Sequence, residues 1–171
     1  VKYYKIPVLR QIVSVYVEFS RNTPLLIQLF FLYFAFPRMG IKLTSVQCAV
    51  IGLTFLGGSY MEETFRSALE SVSKIQIESA QCIGLTQFQI TKYVILPQAI
   101  SVSIPGFCAN LMFLIKETSV GAYIGVVELT KASDIIASRT YDYFFPLIII
   151  AVIYLILTVG LSKLMSRLER K

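Results

Sequence analysis

Few side chains in this sequence could do chemistry, and their types restrict which kind. The 171 residues include no histidine. That removes imidazole acid–base chemistry and histidine-ligated metal or haem. Cys48, Cys82 and Cys108 are far apart and match no metal-ligand spacing, so they read as reduced, small packing residues. No Gly-x-x-x-x-Gly-Lys phosphate loop is present, so the chain is not expected to hydrolyse ATP by itself. What remains is ionic and amide chemistry. Lys116 and Glu117 are adjacent, and a cation beside an anion complements a zwitterion. Glu63 and Arg66 stand at i, i+3, close enough to pair on a helix. Gln28, Asn110, Thr118 and Ser119 can hydrogen-bond a polar solute. Each has a plain structural alternative. Glu63 and Arg66 can form an interfacial ion pair that holds helix ends. Lys116 can extend to lipid headgroups. Gln28 and Asn110 can hydrogen-bond between helices, the reading favoured for these two.

The elements that position these residues follow from composition. Hydrophobic residues make up 56% and charged residues 15%, with a mean hydropathy of +0.69. So few charges cannot cover a water-facing surface, and lipid must be much of the solvent. Residues 22–37, 43–61, 93–115 and 143–162 contain no Asp, Glu, Lys or Arg. A helix crosses the hydrocarbon core with roughly 17–25 apolar residues. The last three stretches meet that length, and the first does so if residues 11–19 extend it. All four are expected to be helices, because lipid offers no partner to an unpaired backbone group. The formal net charge is +6, and Lys and Arg punctuate the gaps rather than cluster. This reads as membrane topology, with no nucleic-acid partner expected. Lys2, Lys5, Arg10, Arg21, Arg66, Lys74, Lys92, Lys163, Arg167, Arg170 and Lys171 fall on one side. Arg38, Lys42, Lys116, Lys131 and Arg139 fall on the other. The richer side is expected to be cytoplasmic, with both chain ends there. Tyr3, Tyr4, Tyr141, Tyr143, Phe144 and Phe145 read as interfacial aromatic anchors.

Two gaps are long. Residues 62–92 alternate polar residues with Ile75, Ile77, Ala80, Ile83, Leu85, Phe88 and Ile90, which predicts two short amphipathic helices broken near Gly84. Residues 116–142 are mildly apolar and predict a re-entrant or surface helix. Gly57-Gly58 and Pro105-Gly106 are expected to interrupt their helices. In transporters such breaks line substrate sites, although Gly57-Gly58 equally suits a close-packing face.

The most informative stretch is Glu78-Ser79-Ala80-Gln81-Cys82-Ile83-Gly84, followed nine residues later by Val94-Ile95-Leu96-Pro97. It resembles the cytoplasmic loop of ABC-importer permeases, Glu-Ala-Ala, three residues, Gly, nine residues, Ile-x-Leu-Pro. Glu78, Ala80, Gly84, Leu96 and Pro97 match in register, while Ser79 and Val94 are mild replacements. A helix carrying Glu78 and Ala80 would present a small-residue face to a partner's groove. Gly84 allows a sharp turn, and Pro97 suits the first turn of the next membrane helix. Residues 16–28 resemble the Glu-Phe-x-Arg-Gly-Thr-Pro-Leu-Leu-x-Gln of polar amino-acid permeases of the histidine, arginine and glutamine type. Asn22 replaces the usual Gly, and both tolerate positive φ. Tyr60-Met61-Glu62-Glu63-Thr64-Phe65-Arg66, Leu114-Ile115-Lys116-Glu117-Thr118-Ser119 and Ile124-Gly125-Val126-Val127-Glu128-Leu129-Thr130 are also similar to segments of that family, with Glu62 an additional charge. The resemblance covers essentially the whole chain.

The resemblance implies an all-α integral membrane protein with the ABC importer type I permease fold, residues 1–171 forming one transmembrane domain. Family members usually have five spans, so a first span is expected to precede Lys2. Within the domain, residues 62–97 would be the cytoplasmic coupling loop, with Ser73, Lys74, Glu78, Ser79, Ala80, Gly84, Leu85 and Pro97 contacting the ATPase. Gln28, Gly58, Glu63, Asn110, Lys116, Glu117, Thr118 and Ser119 are the substrate-pathway candidates. The implied partners are two ATPase subunits that carry ATP and Mg, a second permease copy or paralogue, an extracytoplasmic amino-acid-binding protein, and the bilayer of a bacterial inner membrane. No cofactor is expected on this chain. Rival readings are a permease for phosphate, metal or sugar, a membrane-embedded enzyme, and a scaffold without transport.

Overall fold

A computed structural model describes residues 7–169, and no strand occurs among them. Lys2, Tyr3, Tyr4, Lys5, Arg170 and Lys171 lie outside the described residues. Eight α-helices follow in order: α1 (Pro7–Asn22), α2 (Leu25–Phe30), α3 (Ser45–Glu70), α4 (Lys74–Cys82), α5 (Gln87–Ile90), α6 (Leu96–Glu117), α7 (Leu129–Thr140) and α8 (Phe144–Glu169). Short wide or tight turns join several of them into longer rods. A π-type turn (Phe31–Ala35) and a 3-10 turn (Phe36–Met39) continue α2, and another π-type turn (Thr91–Ile95) joins α5 to α6.

Two of these rods are long and apolar enough to cross a bilayer, residues 87–124 and residues 144–167. The rod from Leu25 to Met39 is shorter. Helix α3 has 26 residues and hence a length of roughly 39 Å. Its C-terminal half mixes in Ser59, Glu62, Glu63 and Arg66, so it is less apolar than the other two. The outer surface of α8 is hydrocarbon from Leu147 through Val159, most of it exposed in the single chain.

Helices α3 and α6 form the central antiparallel pair, with α1 on one side of α3 and α8 against α6. The main core sits where α2, α3 and the 3-10 turn after α6 meet, around Leu25, Leu29, Cys48, Ala49, Leu56 and Ile124. Close packing depends on missing Cβ atoms. A Cβ on Gly52 would stand 2.6 Å from Leu29, one on Gly57 2.9 Å from Leu114, and one on Gly106 2.7 Å from Thr64. These contacts explain why α3 and α6 run unbroken through Gly57-Gly58 and Pro105-Gly106, where the sequence predicts interruptions. The small residues let neighbouring helices approach, and tertiary packing holds the helix through them.

Proline acts elsewhere. Pro97 has no N–H to return to the preceding turn. The ladder before it widens into the π-type turn, and the Gln98 side-chain amide donates to the Val94 carbonyl at 2.8 Å. Pro97 therefore sits in the first turn of α6, as the sequence predicts, and the wide turn before it carries the rod back to Gln87.

Candidate functional site

The segment between α3 and α6 folds as its pattern predicts, as two helices broken at Gly84. Gly84 has φ +82, the left-handed region. Its N–H donates to the Gln81 carbonyl at 2.9 Å, and the Leu85 N–H donates to the Ala80 carbonyl at 3.1 Å. This pair of bonds is a Schellman ending, with Gly at the position that a Cβ would strain. Thr86 and Gln89 then form a reciprocal cap at the start of α5. The loop has its own small core of Val72, Ala80, Ile90 and Ile95, with Leu69, Ile77, Leu85 and Val94 against it.

That core corrects one expectation. Ala80 is small because it packs inward, at 5% exposure, and it offers no face to a partner. The outward surface carries Ser73, Lys74, Glu78 and Ser79, all exposed, flanked by Ile75 (73% exposed), Ile83 (77%) and Phe88 (72%). Three large apolar side chains thus stand exposed beside charged ones. Among the described residues, chain neighbours aside, nothing lies within 4 Å of a Cβ built on Gly84, so the turn is open on its outer side.

A second constellation lies where α1, α3 and α6 meet. Arg21 approaches Glu63 at 3.8 Å, and its guanidinium sits 5.2 Å above the Tyr60 ring. Glu63 also pairs with Arg66 one turn on, and Arg66 reaches Glu70 at 2.7 Å. Arg66 lies beyond the charge-free stretch of α3. Asn110 donates to the Thr64 hydroxyl at 2.8 Å and to the Tyr60 carbonyl at 3.2 Å. Tyr16 donates to the Phe55 carbonyl at 2.6 Å, beside Gly58, where a Cβ would meet the Tyr16 hydroxyl at 2.6 Å. Glu62 lines a 460 Å³ cavity between α1 and α3 together with Arg10, Glu18 and Arg21.

The remaining pathway candidates are scattered. Gln28 is buried at the corner between α1 and α2, and its amide donates to the Ser20 and Thr23 carbonyls at 3.1 and 3.0 Å. Asn22 ends α1 without positive φ, its side chain donating to the Glu18 carbonyl at 2.8 Å. The turn there therefore draws nothing from glycine-like freedom. Lys116, Glu117, Thr118 and Ser119 lie at the far end of α6, and both hydroxyls return to carbonyls of the turn before. The structure thus unites Gly58, Glu63 and Asn110 around α3, links Gln28 to them through Ser20, whose hydroxyl donates to the Phe55 carbonyl, and places the Lys116–Ser119 stretch at the far end of α6. Sequence reasoning missed the pairing of Arg21 with Glu63 and the tie from Tyr154 to Glu128 at 3.2 Å. Both span distant segments, so no local spacing carries them.

A chain helical throughout its described residues, with a self-packed loop and charged helix ends beside it, can be compared directly with known proteins. Residues 3–171 match the family of binding-protein-dependent transport system inner membrane components. The chain belongs to this family. It is a permease, the transport subunit of an ABC importer and not an enzyme, with ATP hydrolysis in separate subunits. The permease is 39% identical over 170 residues to the "Probable amino-acid permease protein YxeN" of Bacillus subtilis (strain 168), covering 97% of this chain and 75% of that one. It is 37% identical over 171 residues to the "Probable glutamine ABC transporter permease protein GlnP" of the same organism, covering 98% and 78%. Among solved structures it superposes with a TM-score of 0.93 at 36% identity on an amino acid ABC transporter crystallised with histidines, over 97% of this chain and 78% of that one. Its fold is the type I permease fold.

Proposed function

We propose that this permease carries polar amino acids into the cytoplasm. One observation carries the reading: near-complete similarity at 36–39% identity to chains named as amino-acid and glutamine permeases. Four spans cross the membrane, one within residues 7–39, then α3, the rod from Gln87 and α8. Both described ends face the cytoplasm, as the distribution of Lys and Arg supports.

The loop between α3 and α6 docks on an ATPase subunit. The surface that docks is Ser73, Lys74, Glu78 and Ser79 with Ile75, Ile83 and Phe88 around the open Gly84 turn, while Ala80, Leu85 and Pro97 hold the loop's shape from behind. Two permeases, identical or related, enclose one path, and two ATPase subunits bind ATP with Mg. An extracytoplasmic binding protein delivers the solute to residues 38–44 and 118–142. The Arg21–Glu63–Arg66 network sits towards the cytoplasmic end of the path, and Lys116 to Ser119 sit towards the outer end.

The test is ATP-dependent uptake into vesicles that hold the permease, its ATPase and its binding protein. Labelled arginine, histidine, glutamine, glutamate, cystine, phosphate and maltose form the panel. One or more polar amino acids accumulate, and Gly84→Asp abolishes accumulation. Uptake of phosphate or maltose alone rejects the amino-acid reading, and normal uptake by Gly84→Asp rejects the coupling surface.

A further inference from the structure

A cavity of 380 Å³ lies at the end of α6 opposite the coupling loop, between the 3-10 turn (Thr118–Ile124), α7 and the start of α8. Tyr123, Thr130, Lys131, Ser133, Asp134 and Tyr143 supply its polar and aromatic lining. Its volume lies within the range of small-molecule sites, roughly 300–1,000 Å³. None of the candidate pathway residues lines it.

Three features make it more than a surface hollow. Ser133 is 4% exposed, yet its hydroxyl has no hydrogen-bond partner among the described residues. A buried hydroxyl without a partner is costly, and each case needs an explanation. An occupant of the cavity supplies one. Second, Lys131 and Asp134 pair at 2.8 Å while their side chains keep 33% and 47% of their exposure. Such a pair is weakly held and opens easily to a ligand. Its order is also wrong for helix stability. Lys131 stands in the first turn of α7, at the positive end of the helix, where an acid would be favoured. Third, the walls are fixed from outside. Glu128 accepts from the Thr130 and Lys131 backbone N–H groups at 2.8 Å and from the Tyr154 hydroxyl at 3.2 Å, tying the start of α7 to α8. A site held this way is formed before its ligand arrives.

We infer that this cavity is a subsite for a free amino acid, outside the main path. Lys131 takes the carboxylate, with the Ser133 hydroxyl beside it. Asp134 takes the ammonium, and Tyr123 and Tyr143 flank the side chain. A zwitterion replaces one weak ion pair by two. The inference rests on the amino-acid reading above and gives it an outer acceptor position.

The test is thiol protection in the full permease–ATPase complex. Ala122→Cys lines the cavity without serving as a ligand, and Cys82→Ser removes the exposed native thiol. The rate of modification by a small methanethiosulfonate is measured with and without millimolar arginine, histidine or glutamine. At least one of them slows the reaction threefold or more, and Asp134→Asn or Lys131→Gln removes that protection. Two results overturn the subsite. They are no protection by any amino acid, and protection that survives both single substitutions. Uptake by the unmodified complex is run in parallel. Uptake without protection removes the subsite and leaves the transport reading standing. Absence of amino-acid uptake rejects the transport reading itself, while protection in that case still marks an amino-acid site.

Discussion

Arg21 on α1 meets Glu63 on α3 at 3.8 Å while Glu63 also holds Arg66 one turn along its own helix, so one carboxylate serves two guanidinium groups and the Arg21 contact joins the two helices. Arg21 and Glu63 belong to segments that look independent in sequence. The junction is partly open to solvent, with side-chain exposures of 39% for Arg21 and 33% for Glu63. Its strength is therefore that of a screened network and not of a buried pair. A double-mutant cycle of Arg21→Gln and Glu63→Gln is expected to give a coupling of about 0.5–1 kcal/mol. Denaturation of the purified complex in detergent measures it. Coupling near zero would mean that the contact carries no stability.

Gly58 and Tyr16 make a close crossing between α3 and α1. Gly58→Ala puts a methyl group against the Tyr16 hydroxyl and displaces it from the Phe55 carbonyl. Overpacking of this kind costs about 1–3 kcal/mol. Adding Tyr16→Phe removes the atom in collision and is expected to recover part of the loss in the same denaturation assay. No recovery would place the strain elsewhere.

Gly84 separates backbone strain from docking. The left-handed φ costs a residue with a Cβ about 1–2 kcal/mol, and Asn tolerates it better. Gly84→Ala and Gly84→Asn are both expected to fold, because nothing in the chain crowds that position. Co-purification with the ATPase subunit should weaken from Ala to Asn to Asp as the side chain grows into the open face. An order that follows φ tolerance alone, with Asn the mildest, would reduce the turn to a local stability feature.

Gln28 is an amide in a position that accepts no anion. Its NH₂ donates to two carbonyls, and its own oxygen has no partner among the described residues. Gln28→Glu loses both bonds and turns a carboxylate towards two acceptors, at a cost of about 3 kcal/mol or more. Gln28→Leu loses the bonds without burying charge and is expected to be milder. Expression and melting of the two variants compare them directly, and equal losses would refute the electrostatic account.

Cys82 is exposed at the end of α4, whereas Cys48 and Cys108 are buried. Brief maleimide treatment of the folded permease is expected to modify Cys82 at least tenfold faster than either buried thiol, since buried thiols are inert. Bound ATPase subunits should slow that reaction, because Cys82 lies two residues from Gly84. Mass spectrometry of digests reads both effects.

The sequence by itself determined the class, the family and the outline of the loop. Long charge-free runs leave lipid as the only available solvent. The periodicity around Gly84 specifies two short helices, because amphipathic spacing and a left-handed glycine are local properties. Only the tertiary structure decided which residues meet. Gly57-Gly58 and Pro105-Gly106 read as breaks, yet Leu114, Tyr16 and Thr64 fill the space beside them and the helices continue. Ala80 reads as a contact residue, yet Val72, Ile90 and Ile95 cover it. Arg21 with Glu63, Asn110 with Thr64, and Tyr154 with Glu128 are each made by packing helices distant in sequence. Local propensity reaches only one or two turns along a chain. A contact across helices depends on crossing geometry, and that is set by every side chain in the interface at once.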